Sequence, residues 1–376
     1  MATASATGLR DIIAASSAIC KVDGNQGKLS YYGYDIADLA ANSTFEEVIY
    51  LLWHGELPLH GQLTQLATTI KSEMELPAGI QDLLHALPSS GSPMSALRTA
   101  VSAMVLYERE ATDYSRGANV RKAVRLTARI PTIIATFEKF RYSHTPVTPR
   151  EDLSLAANFL YMLKGREADP RDVHAFDVAL ILHADHELNA STFAAREVAS
   201  TEADLFAAIS AAIAALSGPI HGGANERVMR MLESIDSPSS AQQWITGELE
   251  RGRPIYGFGH AVYRGCADPR ATALRSLSQE VAERTGNPYW FDMSVVVEKV
   301  MRDLRPNLLP NVDFYSASLY RSLGIHTDLF TPVFACSRIA GWTAHALEQY
   351  AHNRLIRPRA DYIGPEPRNY VPIHER

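Results

Sequence analysis

From Ser43 onward one feature constrains the fold more than any other: apolar residues recur at helical spacing almost throughout, and no run alternates strands with helices. Such a chain buries its stripes by packing helix on helix. Ser43-Thr44-Phe45-Glu46-Glu47 has capping-box form, with Ser43 and Glu46 three apart, ahead of an apolar stripe of Val48, Ile49, Leu51, Leu52 and Trp53. Gly55 and Pro58 end that helix. Pro93 leads a helix from Ala96 to Tyr107. Leu153–Leu163 and Ala175–His186 read the same way, and Thr201-Glu202-Ala203-Asp204 caps an Ala-rich run over 205–217. The strand signal is Lys28 to Tyr34, aromatic and broken by Gly33, which predicts a short hairpin arm. With no GxGxxG and no GxxxxGK[ST], a Rossmann or P-loop nucleotide site is disfavoured. The expected fold is all-α.

A chain of 376 residues is long enough for two domains. Residues 221–315 are punctuated by Gly, Pro and polar turns, while the flanks are more continuously apolar. This predicts a large domain of 1–220 and 319–376 with a smaller helical domain, 221–318, inserted in it. Function then belongs in the cleft between them. With 36 basic against 42 acidic residues the net charge is -6, which argues against a general nucleic-acid binder. An anionic ligand would need locally concentrated positive charge. Cys20, Cys266 and Cys336 are scattered and form no disulfide framework, so a cytoplasmic protein is expected. No stretch reaches the roughly 20 apolar residues of a membrane span, and the N-terminus, with Arg10 followed at once by Asp11, does not read as a secretory signal.

Four segments carry polar groups that a plain helical core would not choose. His183, Asp185, His186 and Glu187 end an apolar helix, with His183 and His186 three apart on one face; they are metal-ligand types, but the spacing is not HExxH, and a solvated helix end with core histidines is the favoured reading. His221 lies between Pro219 and Gly222-Gly223, beside the start of a new helix. There the helix dipole favours a neutral imidazole able to donate to a developing oxyanion; a glycine hinge with an incidental histidine is the alternative. His260 again follows closely spaced glycines, with Arg264 and Arg270 behind it; the forked guanidinium suits carboxylates and phosphates, and a solvated basic loop is the bland alternative. Asp313 sits among apolar and aromatic residues, where desolvation would make it a better base, although it could equally cap the helix that follows. Farther on, Arg338, Trp342 and His345 share one face of an apolar helix. A buried Arg needs a partner, either a bound anion or a structural carboxylate.

Together these segments resemble the citrate synthase family. The matching strings are His183-Ala-Asp-His186-Glu-Leu-Asn-Ala-Ser-Thr, Gly218-Pro-Ile-His221-Gly-Gly-Ala-Asn225, Gly257-Phe-Gly-His260-Ala-Val-Tyr-Arg264, Asp268-Pro-Arg270, Asn311-Val-Asp313-Phe-Tyr-Ser316, Ser337-Arg338 and Asn353-Arg-Leu-Ile-Arg357-Pro-Arg359. They stand in the family's order over nearly the whole chain and look like its short, dimeric bacterial and archaeal type.

The resemblance implies an all-α homodimer whose large and small domains close over acetyl-CoA and oxaloacetate, with no cofactor and no metal. It implies Asp313 as the base for the methyl proton, His221 as donor to the thioester oxygen and His260 as donor to the oxaloacetate ketone. His186, Arg270 and Arg338 resemble the oxaloacetate carboxylate ligands. Arg357 resembles the arginine sent into the partner's site, and Arg264 a contact to the CoA phosphates. Asn189 and Asn225 would be supports behind these. Two departures stand out: Gly265-Cys266-Ala267 makes the loop between His260 and Arg270 one residue longer than the usual pattern, and Ala317 follows Ser316 where Gly is commoner. The nearest rival, 2-methylcitrate synthase acting on propionyl-CoA, shares every residue named. A metal-dependent hydrolase built on His183, Asp185 and His186, or an inert helical scaffold, would give Asp313, Arg338 and Arg357 no role.

Overall fold

Capping residues and breakers set the limits of each helix in the computed structural model, which describes residues 12–376. The expectation about the first residues, Arg10 and Asp11 included, lies outside the described residues. Sixteen helices follow one another there: α1 (Ile36–Asn42), α2 (Phe45–His54), α3 (His60–Ser72), α4 (Ala78–Ala86), α5 (Pro93–Met104), α6 (Arg116–Arg141), α7 (Leu155–Lys164), α8 (Pro170–His183), α9 (Ala190–Ser200), α10 (Leu205–Leu216), α11 (Ala224–Glu233), α12 (Ala241–Glu250), α13 (Pro269–Thr285), α14 (Tyr289–Leu304), α15 (Val312–Ser322) and α16 (Phe330–Ala351). The fold is all-α. Among the described residues no helix is long and apolar enough to cross a membrane.

The expected hairpin is present as a small antiparallel sheet, β1 (Cys20–Asp23), β2 (Lys28–Tyr31) and β3 (Tyr34–Asp35), with Cys20 opposite Tyr31 and Tyr31 opposite Tyr34. Its buried Tyr31 reaches the end of α8. The hydroxyl donates toward the carbonyls of Ile181 (3.2 Å) and Asp185 (3.0 Å) and accepts from the Asp185 N–H (3.1 Å). A helix end buried without such partners would leave its last carbonyls orphaned.

The capping box lies one residue later than its sequence pattern suggested. Thr44 and Glu47 form it, because Ser43 is already committed to closing α1 through the Leu39 carbonyl. Glu46 turns inward instead and accepts from the Leu155 N–H at 2.9 Å. Asp204 caps α10, and Gly55 ends α2 in the left-handed conformation, as its position implied.

α16 is the axis of the larger helical body. Nearly all of it is buried, against α2, α6, α8, α9 and α10. At Gly341 it approaches the end of α8 so closely that an added Cβ would collide with the Asp185 side chain and the Ala184 carbonyl. That approach delivers Arg338, one turn earlier, to the α8 terminus. Helices α11 to α15 pack largely on one another, while α13 also touches α1 and α8. The expected boundary at 318/319 falls inside α15, which runs unbroken to Ser322.

Candidate active site

Where the end of α8, the start of α9, the His221 turn, the His260 loop and the first turns of α13 and α15 meet α16, they enclose a cavity of about 120 Å³. His186, Asn189, His221, His260, Arg270, Asp313 and Arg338 line it, with Gly222, Val312 and Phe334. Residues separated by up to 152 positions in the chain thus share one small space, sized for a ligand of a few carbons.

Two buried guanidiniums bring positive charge to the cavity. Asp268 caps α13 and Pro269 starts it, which sets Arg270 in the first turn. Arg270 is 2% exposed and forms a bidentate pair with Asp268, at 2.9 Å and 2.8 Å. Burial opposes its charge, but Asp268 more than compensates and raises its pKa. Arg338, 1% exposed, has no carboxylate within ion-pair distance among the described residues. Its Nε donates to the His183 carbonyl at 2.7 Å, and its guanidinium lies 4.7 Å from the Phe334 ring centroid. Burial therefore lowers its pKa. A buried guanidinium held this way lacks the counter-charge that its desolvation calls for, and a bound carboxylate would supply it.

The histidines are held neutral. His221 has its pKa lowered to about 4, first by burial and then by Arg338. Its Nε2 accepts the Ser191 N–H at 3.2 Å, so the ring proton sits on Nδ1. Ser191 is itself fixed, its hydroxyl accepting from Trp342 Nε1 at 3.1 Å and lying 2.8 Å from the Asn189 carbonyl oxygen. His260 is also lowered to about 4, by burial and by Arg270. Its Nδ1 accepts the N–H groups of Val262 and Tyr263 at 3.0 and 3.2 Å, which leaves the proton on Nε2. His186 is lowered well below the ordinary value by burial and Arg270, and its Nε2 lies 3.1 Å from the Tyr263 hydroxyl.

Asp313 is the one carboxylate among the described residues that line the cavity. It does not cap α15: Asn311 does, accepting from the Asp313 N–H at 3.0 Å, which corrects that alternative and leaves the Asp313 carboxylate unspent. Burial raises its pKa to about 7, against the opposing pull of Arg270. A carboxylate near pKa 7 is a far stronger base than one at 4 and still ionises at neutral pH.

Three expected residues lie elsewhere. Arg264 is exposed, its Nε donating to the Ala261 carbonyl at 3.3 Å. Asn225 is buried one helix turn behind, accepting from the Glu226 N–H and reaching the Phe330 carbonyl at 3.4 Å, so it ties α11 to α16. Arg357 is exposed in the extended segment after α16, and lines a second depression with residues 14–18. The His183–His186 pair does not share a helix face, because α8 ends at His183 and the chain turns. His183 is buried with Nδ1 on the Ala179 carbonyl at 2.7 Å, while Asp185 faces His345. Their donors do not converge, and no group of three metal-ligand side chains does so among the described residues.

Sequence reasoning gave no role to Tyr263, Asp268, Ser191 or Trp342. Asp268-Pro269 was readable as a helix start, and so as a reason for Arg270 to be fixed. Tyr263, which steadies His186 from the His260 loop, carried no local signal.

Neutral imidazoles with defined tautomers, a basic carboxylate and buried guanidiniums around a small cavity define an acid–base enzyme for a small anionic substrate. Residues 8–359 match the protein family described as "Citrate synthase, C-terminal domain". Citrate synthase 2 of Bacillus subtilis is 49% identical over 370 residues, covering 98% of both chains, and a 2-methylcitrate synthase of Shewanella oneidensis is 41% identical over 372, covering 98% of this chain and 97% of that one. A solved ternary complex of citrate synthase from Thermoplasma acidophilum with carboxymethyl coenzyme A and oxaloacetate superposes with a TM-score of 0.93 at 31% identity, covering 98% of this chain and 99% of that one. The chain belongs to the citrate synthase family, whose members are acyl-transferring enzymes.

Proposed function

We propose that this enzyme condenses acetyl-CoA with oxaloacetate and hydrolyses the citryl-CoA formed, releasing citrate and CoA. The observation that carries the reading is the pairing of Asp313, raised to about 7, with two imidazoles held neutral in the same cavity. The methyl group of a thioester is too weak an acid for a carboxylate to ionise unaided; the enolate has to be stabilised as it forms. Asp313 takes the methyl proton while His221 Nδ1–H donates to the thioester oxygen. His260 Nε2–H polarises the oxaloacetate ketone, and the enol carbon attacks it. Arg270, Arg338 and His186 hold the oxaloacetate carboxylates, and Asn189 caps α9 behind them. Arg264 meets the CoA phosphates at the mouth. Water then cleaves the thioester. No cofactor or metal enters this scheme.

The active form is a homodimer in the cytoplasm, with Arg357 completing the partner's site. An extended segment after α16 that exposes Leu355, Tyr362, Ile363 and Tyr370 supports this, since such apolar residues need a covering surface. A division of the chain into a large domain and a smaller inserted one is supported by the mutual packing of α11 to α15, with the return to the large domain after Ser322 rather than at 318/319. One methylene discriminates thioesters by only roughly 10–200-fold. Thiol release from acetyl-CoA and from propionyl-CoA, each with oxaloacetate, therefore tests the substrate: faster release from acetyl-CoA is the expected result, and faster release from propionyl-CoA overturns it.

A further inference from the structure

The loop that carries His260 is not held by its own domain alone. The turn between β1 and β2, Gly24 to Gly27, seats on its outer side. At Gly24 an added Cβ would run into the Val262 carbonyl oxygen and come within 2.9 Å of its Cγ1. At Gly27, where φ is +64°, a Cβ would lie 2.9 Å from the Ala267 carbonyl and 3.4 Å from Cys266 Sγ. The Cys266 thiol donates to the Gly24 carbonyl at 3.0 Å. Gly265, immediately before Cys266, takes φ +77°.

The two ends of this contact abut the two polar assemblies of the cavity. The Val262 carbonyl that faces Gly24 shares its peptide with the Tyr263 N–H, which together with the Val262 N–H donates to His260 Nδ1 and sets that ring's tautomer. Tyr263 in turn holds His186. At the other end Ala267 immediately precedes Asp268, whose carboxylate clamps Arg270. We infer that the Gly24–Gly27 turn is a latch which seats on Val262–Ala267 across the cleft, with Gly24, Gly27 and Cys266 as positioning residues for the groups that bind and polarise oxaloacetate. The inference rests on the proposed reaction and domain division. An S–H···O bond is weak and the loop is bracketed by left-handed glycines at 257, 259 and 265, so the latch holds reversibly.

The test uses the full-length enzyme. Gly24→Ala raises the oxaloacetate KM roughly tenfold or more, as expected of a misplaced positioning group, with the acetyl-CoA KM and the Tm nearly unchanged. Gly33→Ala is the control: it strains the next turn of the same sheet, between β2 and β3, at φ +87°, where an added Cβ meets nothing within 4 Å. It leaves the oxaloacetate KM unaltered. Cys266→Ser keeps a donor for the Gly24 carbonyl and retains near-native values, whereas Cys266→Val raises the oxaloacetate KM. An active wild type with Gly24→Ala indistinguishable from it, or a KM raised equally by Gly33→Ala, overturns the latch. An inactive wild type instead overturns the proposed reaction.

Discussion

Asp313→Asn separates what the active site needs from what the fold prefers. Burial lifts the Asp313 carboxyl from an ordinary 3.8 to about 7, so the native protein holds its proton where the unfolded chain has released it. The sign follows: the stability that the protonated group contributes is fully present below pH about 4, is lost as pH rises, and is gone above about 7. About three pKa units at 1.36 kcal/mol each give an upper bound of about 4 kcal/mol, and solvent reaching the half-buried side chain reduces this to about 1–3 kcal/mol. The amide carries no such penalty. Unfolding entropy of about 2 cal/mol/K per residue over the chain converts the gain to a Tm rise of about 1–4 °C at pH 8. The same variant loses about 10²–10⁴-fold in kcat, as expected for a missing general base. Calorimetry of both proteins at pH 4 and pH 8, without substrate, is the assay. A variant no more stable than wild type at pH 8, or a difference that persists unchanged at pH 4, refutes the reasoning.

Four further outcomes are expected. In the free enzyme kcat/KM rises with pH through about 7 as Asp313 ionises, with no separate histidine limb near 6.5, because His221 and His260 stay neutral down to about 4; a limb near 6.5 that survives Asp313→Glu would contradict this. Arg338→Met weakens oxaloacetate binding by calorimetry about 100-fold, while denaturant stability falls by less than about 1 kcal/mol, since no structural ion pair is broken. Ser191→Ala removes the hydroxyl 2.8 Å from His221 Nε2, leaves the backbone N–H as that nitrogen's partner, and lowers kcat about tenfold with little change in either KM, read by steady-state kinetics. Gly341→Ala destabilises by about 2–3 kcal/mol in urea, because its Cβ would displace Asp185 and the end of α8.

Much of this was legible because the decisive residues announce local constraints. Gly222-Gly223 beside His221 and Asp268-Pro269 before Arg270 each mark a turn into a helix, and left-handed Gly257 and Gly259 shape the loop that carries His260, so backbone geometry fixes each side chain. The helical periodicity gave the class of fold directly. What local pattern misses is competition between neighbours. Ser43 looked like the cap of α2 but was consumed in closing α1, and Asp313 was displaced as a cap by Asn311 two residues earlier. His183 and His186 seemed to share a face only while α8 was taken to continue; Tyr31, from a strand some 150 residues away, holds the chain end where it turns. Tyr263 and the Gly24 turn act across the cleft, and no spacing within either segment encodes that encounter.

We propose that Asp313 does its chemistry in a cavity whose arginines have already bound oxaloacetate. Measuring CoA thiol release and oxaloacetate binding on the same preparations of wild type and Asp313→Ala, with EDTA throughout, tests this most directly. In the wild type, release from acetyl-CoA requires oxaloacetate and survives EDTA. In the variant, release falls by about 100-fold or more while oxaloacetate still binds. Near-native release from Asp313→Ala, or none from the wild type with oxaloacetate bound, would contradict it.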